Sequence, residues 1–92
     1  MPLGSRRRTK KGQQVSIAPQ QSRAARGLLN WTLADLAKAA MLGLSTVKTF
    51  ESELRPITPA NHNAIRRALE DAGIEFIPAK NGKGVGVRLR EG

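Results

Sequence analysis

The 92-residue sequence predicts a mainly α fold, four helices followed by a C-terminal β-hairpin. Three observations predict it. Apolar residues recur at helical spacing in four stretches between Pro19 and Ala72. Strong start signals stand ahead of two of them, Thr32 with Asp35 three residues on, and Thr58 followed by Pro59. Beyond Gly73 the apolar period changes from 3.6 to 2, centred on Asn81–Gly82, a strong two-residue hairpin turn.

Residues 1–18 carry no periodic apolar pattern. With Gly4, Gly12, Gln13, Gln14 and five basic side chains (Arg6, Arg7, Arg8, Lys10 and Lys11), they are expected to form a flexible basic arm. The first helix is expected from Pro19, with Ala24, Ala25, Leu28 and Leu29 as its apolar face and Asn30 ending it in the left-handed conformation. In the second, Thr32 is the N-cap, Asp35 completes a capping box, and Trp31 and Leu36 have the spacing of a hydrophobic staple. Its inward face is Leu33, Leu36, Ala37 and Ala40, and a break follows at Met41–Gly43. The third helix is expected from about Leu44 to Leu54, with Val47, Phe50 and Leu54 inward, stopped by Arg55–Pro56 because a residue before proline is disfavoured in helix. On propensity alone Ser45 could cap it instead, two residues later. Ala64, Ile65, Ala68, Leu69 and Ala72 form the stripe of the fourth helix, which Gly73 closes. Arg66–Glu70 and Arg67–Asp71 are its exposed i,i+4 pairs.

In the tail the turn dictates the register: Ile74 opposite Leu89, Phe76 opposite Val87, Pro78 opposite Val85, and on the other face Glu75 opposite Arg88. A lone hairpin is marginal in water, so it must pack on helices 1 and 4 or on a second subunit. The organisation is therefore an arm over 1–18, a helical domain over 19–73 and a hairpin over 74–92.

Sixteen Lys and Arg against seven Asp and Glu give a net charge of +9. A chain this basic attracts polyanions, with nucleic acid the first candidate and an anionic membrane surface the second. The absence of cysteine removes disulfides and thiolate metal sites. His62, the one histidine, has no partner to complete a zinc site and is expected to be solvated. No apolar run approaches the ~20 residues that span a bilayer, and no apolar segment follows the basic start as in a signal peptide, so a cytoplasmic protein is expected. The carboxylates are dispersed, and the glycines of Gly82-Lys83-Gly84-Val85-Gly86 precede no helix that could hold a phosphate. No enzymatic chemistry, cofactor or metal is expected.

The run from Thr32 to Glu51, TLADLAKAAMLGLSTVKTFE, carries the spacing of a known motif. Leu-Ala falls in the middle of one helix, then Ala and a turn, then Thr-Val three residues into the next helix with Glu four residues later. Residues 22–73 thereby resemble the Xre/Cro-like helix-turn-helix family of small transcriptional regulators. The resemblance implies a four-helix helix-turn-helix core that places helix 3 in the major groove, ~12 Å wide, while helix 2 crosses the backbone. It implies that Leu44, Ser45, Lys48 and Thr49 contact bases and that Thr32, Thr46 and Arg55 contact phosphates. It also implies that Arg26 pairs with Glu51 to tie helix 1 to helix 3. The sequence departs from the family at Leu33, where a DNA-touching Gln is usual, at Met41, where Gly is usual, and at Gly43, where Ser or Thr usually caps helix 3.

The implied partner is double-stranded DNA, as a pseudo-palindromic operator read by a homodimer with half-sites about 34 Å apart. Phe76, Val87 and Leu89 are the candidate dimerisation residues, should the hairpin not be used up on its own helices. Arg6, Arg7, Arg8, Lys10 and Lys11 either enter a groove or add only non-specific attraction. The alternative is a protein-interaction module, an antitoxin or anti-activator, that reuses the fold. A third reading, a polybasic membrane or RNA adaptor, would depend on the arm and not on helix 3.

Overall fold

The structure is a computed structural model that describes residues 16–91. The basic cluster of the expected arm lies outside these residues. Four helices, α1 (Pro19–Leu29), α2 (Leu33–Ala40), α3 (Leu44–Glu51) and α4 (Pro59–Asp71), are followed by an antiparallel pair, β1 (Ile74–Ile77) and β2 (Gly86–Leu89). The core lies between the helices and the inner face of the hairpin. Leu36, Val47, Ile65, Leu69 and Ile74 are fully buried there, each contributing about 1.5–3 kcal/mol by leaving water.

α1 departs from expectation in the face it buries. Its inward residues are Gln21, Ser22 and Ala25, whereas Ala24 and Leu28 are exposed. Apolar periodicity misses this face because two of its three residues are polar, and both find partners. The Gln21 amide donates to the carbonyls of Gly86 at 2.9 Å and Ile77 at 3.4 Å, and its oxygen accepts from the Ala18 N–H at 2.8 Å. One side chain therefore closes the first turn of α1 and holds the turn-side end of the strand pair.

The α2 capping box forms as expected. Thr32 Oγ1 accepts from the Asp35 N–H at 3.0 Å, and Asp35 Oδ2 accepts from the Thr32 N–H at 2.9 Å. Three helices end alike. Asn30, Met41 and Glu53 each take left-handed backbone, with φ of 59°, 59° and 60°. The next N–H in each case reaches back five residues: Trp31 to Arg26, Leu42 to Ala37, Leu54 to Thr49. This is the Schellman closure, which glycine ordinarily favours. It explains why α3 stops at Glu51 rather than at the expected Leu54. The chain has already turned at Glu53, and Leu54 is 71% exposed instead of joining the core. α3 starts at Leu44 on an extended Gly43, with no side-chain cap, so Ser45 lies inside the helix.

In α4, Thr58 caps the N-terminus by accepting from the Asn61 N–H. Arg66 pairs with Glu70 at 2.7 Å, but Arg67 and Asp71 do not pair. His62 is half-buried and not solvated. Its Nε2 lies 3.3 Å from the Ile17 nitrogen and 3.0 Å from the Ile17 oxygen, and its ring stands 5.3 Å from that of Phe50. The interior space beside Phe50 admits the ring because the backbone of Ile17 supplies its polar partner.

The hairpin has the expected register, Ile74 to Leu89, Glu75 to Arg88 and Phe76 to Val87, extended by Ile77 to Gly86. Asn81 and Gly82 both have positive φ, as a type I′ turn requires, and Lys80 and Lys83 exchange backbone bonds across it. The expected Pro78–Val85 pair is absent because pairing stops at Ile77, and Pro78 has no N–H to give. The apolar face packs within the chain: Ile74 is buried, Phe76 and Val87 lie half-buried against the core, β1 touches α4 and β2 touches α1. On the outer face Arg88 meets Glu75 at 3.0 Å. The hydrogen bond from Arg88, then its charge, hold the Glu75 carboxyl below the usual carboxylate range. Among the described residues no helix is long and apolar enough to cross a membrane.

Two outcomes are expected. Met41 is 89% exposed and strained only by its backbone, so Met41→Gly should raise stability by about 0.5–1 kcal/mol, relief of the left-handed strain outweighing the added chain entropy, seen as a higher urea midpoint at unchanged slope. The Glu75 pair stabilises the fold above the ordinary carboxylate range, and this contribution is lost as pH falls through the lowered midpoint. Side-chain NMR should place the Glu75 titration below that of a free glutamate, and Arg88→Gln should bring it back.

Candidate nucleic-acid interface

α3 has one buried side and one open side, and a carboxylate organises the buried one. Glu51, in the last turn, is 4% exposed. Ser22 Oγ donates to its Oε2 at 2.6 Å. The Arg26 guanidinium grips it with a fork, Nη2 to Oε1 at 2.7 Å and Nε to Oε2 at 2.9 Å. Arg26 Nη1 also donates to the Trp31 carbonyl at 3.2 Å, reaching the segment that opens α2. The hydrogen bond to Glu51 and its negative charge hold the Arg26 pKa above its ordinary value, against the opposing effect of burial. α1 is thereby locked to the end of α3, as the resemblance implied for these two residues. Ser22 is a third member of the cluster that apolar patterning had no means of finding.

The open side is continuous. At about 100° per residue, Leu44, Lys48, Ser45 and Thr49 fall within an arc of about 140°. Ser45 and Lys48 are exposed, Leu44 is 45% exposed and Thr49 is half-buried at the margin. Val47, Phe50 and Glu51 fill the opposite arc and are buried. The four residues for which the resemblance implies base contact thus share one outward face.

Two hollows flank that face. One, about 280 Å³, is lined by Ser45, Thr46, Thr49 and Arg55 together with Pro56, Ile57, Thr58 and Asn61. It gathers two of the four base candidates and two of the three phosphate candidates. Thr58 and Asn61 were missed as lining residues; the start of α4 was legible only as a cap, and its position beside α3 depends on the turn at Glu53. The other hollow, about 230 Å³, is lined by Lys48, Arg23, Arg26, Leu33, Glu51 and Ser52. Thr32 lines neither hollow, and its hydroxyl is engaged in the capping box.

The candidates outside α3 are scattered. Arg6, Arg7, Arg8, Lys10 and Lys11 lie outside the described residues. Phe76 and Val87 are half-buried against the protein's own core, while Leu89 is 40% exposed. Among the described residues no group of three or more His, Cys, Asp or Glu side chains could hold a metal ion. No known family model and no curated protein matches the chain.

Removing Glu51 leaves the half-buried Arg26 guanidinium and the buried Ser22 hydroxyl without their shared acceptor. Glu51→Ala should cost about 3–5 kcal/mol, measured by urea unfolding, and Ser22→Ala about 1–2 kcal/mol. A Glu51→Ala chain as stable as the parent would show that the cluster does not hold the helices.

Proposed function

We propose that this chain is a sequence-specific, double-stranded DNA-binding transcriptional regulator of the Xre/Cro-like helix-turn-helix kind, acting through α3 in the major groove. The observation that carries this reading is the outer face of α3. A short helix presents a lysine, two hydroxyls and an apolar side chain in one stripe, while its other side is clamped to α1 through Glu51. A recognition element needs that combination, since base discrimination depends on donors held at a fixed position against the groove floor.

In this reading Lys48 donates to guanine O6 and N7. Ser45 and Thr49 donate or accept, and Leu44 or the Thr49 methyl meets a thymine methyl. Arg55, Thr46 and Thr32 set the register through phosphates. Thr58 and Asn61 join them at the rim of the larger hollow. The regulator works as a two-fold dimer on a pseudo-palindromic site, and the exposed margin of the hairpin, Val85 and Leu89, is the surface offered for dimerisation. One observation favours a second reading, a protein-interaction module such as an antitoxin or anti-activator. Met41, Leu44 and Leu54, in α3 or within three residues of its ends, are exposed apolar side chains.

Selection from a pool of random duplexes, at two salt concentrations and with competitor DNA, separates the two. A two-fold symmetric motif that Lys48→Glu abolishes is the expected result. Steep salt dependence with no motif means backbone attraction alone and would sink the regulator reading in favour of the interaction module.

A further inference from the structure

The smaller hollow beside α3 brings together three cations, Arg23, Arg26 and Lys48, around the apolar side chain of Leu33. Arg26 is committed to Glu51. Lys48 makes no ion pair with any described residue. Arg23 is in an intermediate state. Its Nη1 donates to the Glu51 carbonyl, which anchors the side chain against the end of α3. Its Nη2 lies 3.5 Å from Glu53 Oε2, in a pair whose side chains are 43% and 50% exposed. An exposed pair this long is weak and readily exchanged for another anion.

Glu53 itself is not required by the turn. It occupies the left-handed position that closes α3, with φ of 60°, where glycine or asparagine fits with less strain. A carboxylate there, at the edge of the face assigned to DNA, opposes a polyanion and neutralises the outer half of Arg23.

We propose that Arg23 is a further phosphate-contacting residue and that Glu53 is its internal stand-in for the phosphate. When DNA binds, a backbone phosphate flanking the bases read by Lys48 displaces the Glu53 carboxylate from Arg23. The inference rests on the DNA-binding reading above. The guanidinium suits the exchange because its Nη2 can donate to either a carboxylate or a phosphate oxygen, while the Nη1 bond to the Glu51 carbonyl keeps it in place. Glu53 thereby weakens binding by competing for one of the cations that the backbone would engage.

The test is a salt titration of binding to a 20-base-pair duplex, using the selected motif or a mixed sequence where selection returns none. The full chain is compared with Glu53→Gln, Arg23→Gln, Arg23→Lys and the double variant Glu53→Gln/Arg23→Gln. Glu53→Gln should tighten binding two- to fivefold, the range that loss of an exposed pair allows. Arg23→Gln should flatten the slope of log affinity against log salt by about 0.9, the loss of one phosphate contact, and Arg23→Lys should restore it. In the double variant the gain from Glu53→Gln should vanish. An equal gain with and without Arg23 would show only bulk charge repulsion and overturn the proposal, as would an unchanged slope in Arg23→Gln. A parent chain that binds no duplex at any salt would overturn the regulator reading, and this inference with it.

Discussion

The fold and the candidate interface meet at one buried carboxylate. Glu51 closes the last turn of α3, and the two groups that satisfy it, Ser22 and Arg26, stand one helical turn apart on α1. A charge this deep is tolerated only because the fork and the hydroxyl occupy its lone pairs. Arg26 extends the constraint to the Trp31 carbonyl, so the start of α2 is set against the same group. The rotation of α3 about its axis, and therefore which of its side chains face outward, follows from this cluster together with the apolar anchors Val47 and Phe50.

Helix ends contribute a second constraint. Asn30, Met41 and Glu53 turn the chain sharply without glycine, each with the same pair of backbone closures. The short elements this creates are compact but locally strained. At the first two turns that strain is sustained by burial on either side: Leu29 and Trp31 pack on the core around the first, and Ala40 and Leu42 around the second. The third turn has Phe50 before it and only exposed residues immediately after it, so its conformation is held from one side.

Much of the fold was legible. The capping box at Thr32, the Thr58 cap and the Asn81–Gly82 turn are local chemistry, and each specifies its element without reference to the rest of the chain. The hairpin register followed because a slip of one residue would have exposed Ile74 and separated Glu75 from Arg88. What was not legible involved polar residues whose partners lie far away in sequence. Gln21 and Ser22 lay outside the apolar face expected of α1, and their partners are 29 to 65 residues distant. His62 looked solvated for the same reason. The end of α3 was misplaced because a glutamate in a left-handed turn gives no compositional signal. Of the candidate site, the outward face of α3 could be anticipated from a resemblance. The grouping of Arg55 with Thr58 and Asn61, and of Arg23 with Lys48, could not, since both depend on where the turn after α3 directs the chain.

Gln21 makes the hairpin and α1 one mechanical piece. Its amide spans the carbonyls of the strand pair nearest the turn, and one residue later on the same helix Ser22 reaches Glu51. Any object that grips the outer edge of the hairpin is thus joined to α3 through two adjacent positions, with no hinge between them. If two copies joined edge to edge, the separation and mutual tilt of their α3 helices would be fixed by this short linkage and not by a flexible connector. The molecule would then act as a rigid gauge, tolerant of few spacings.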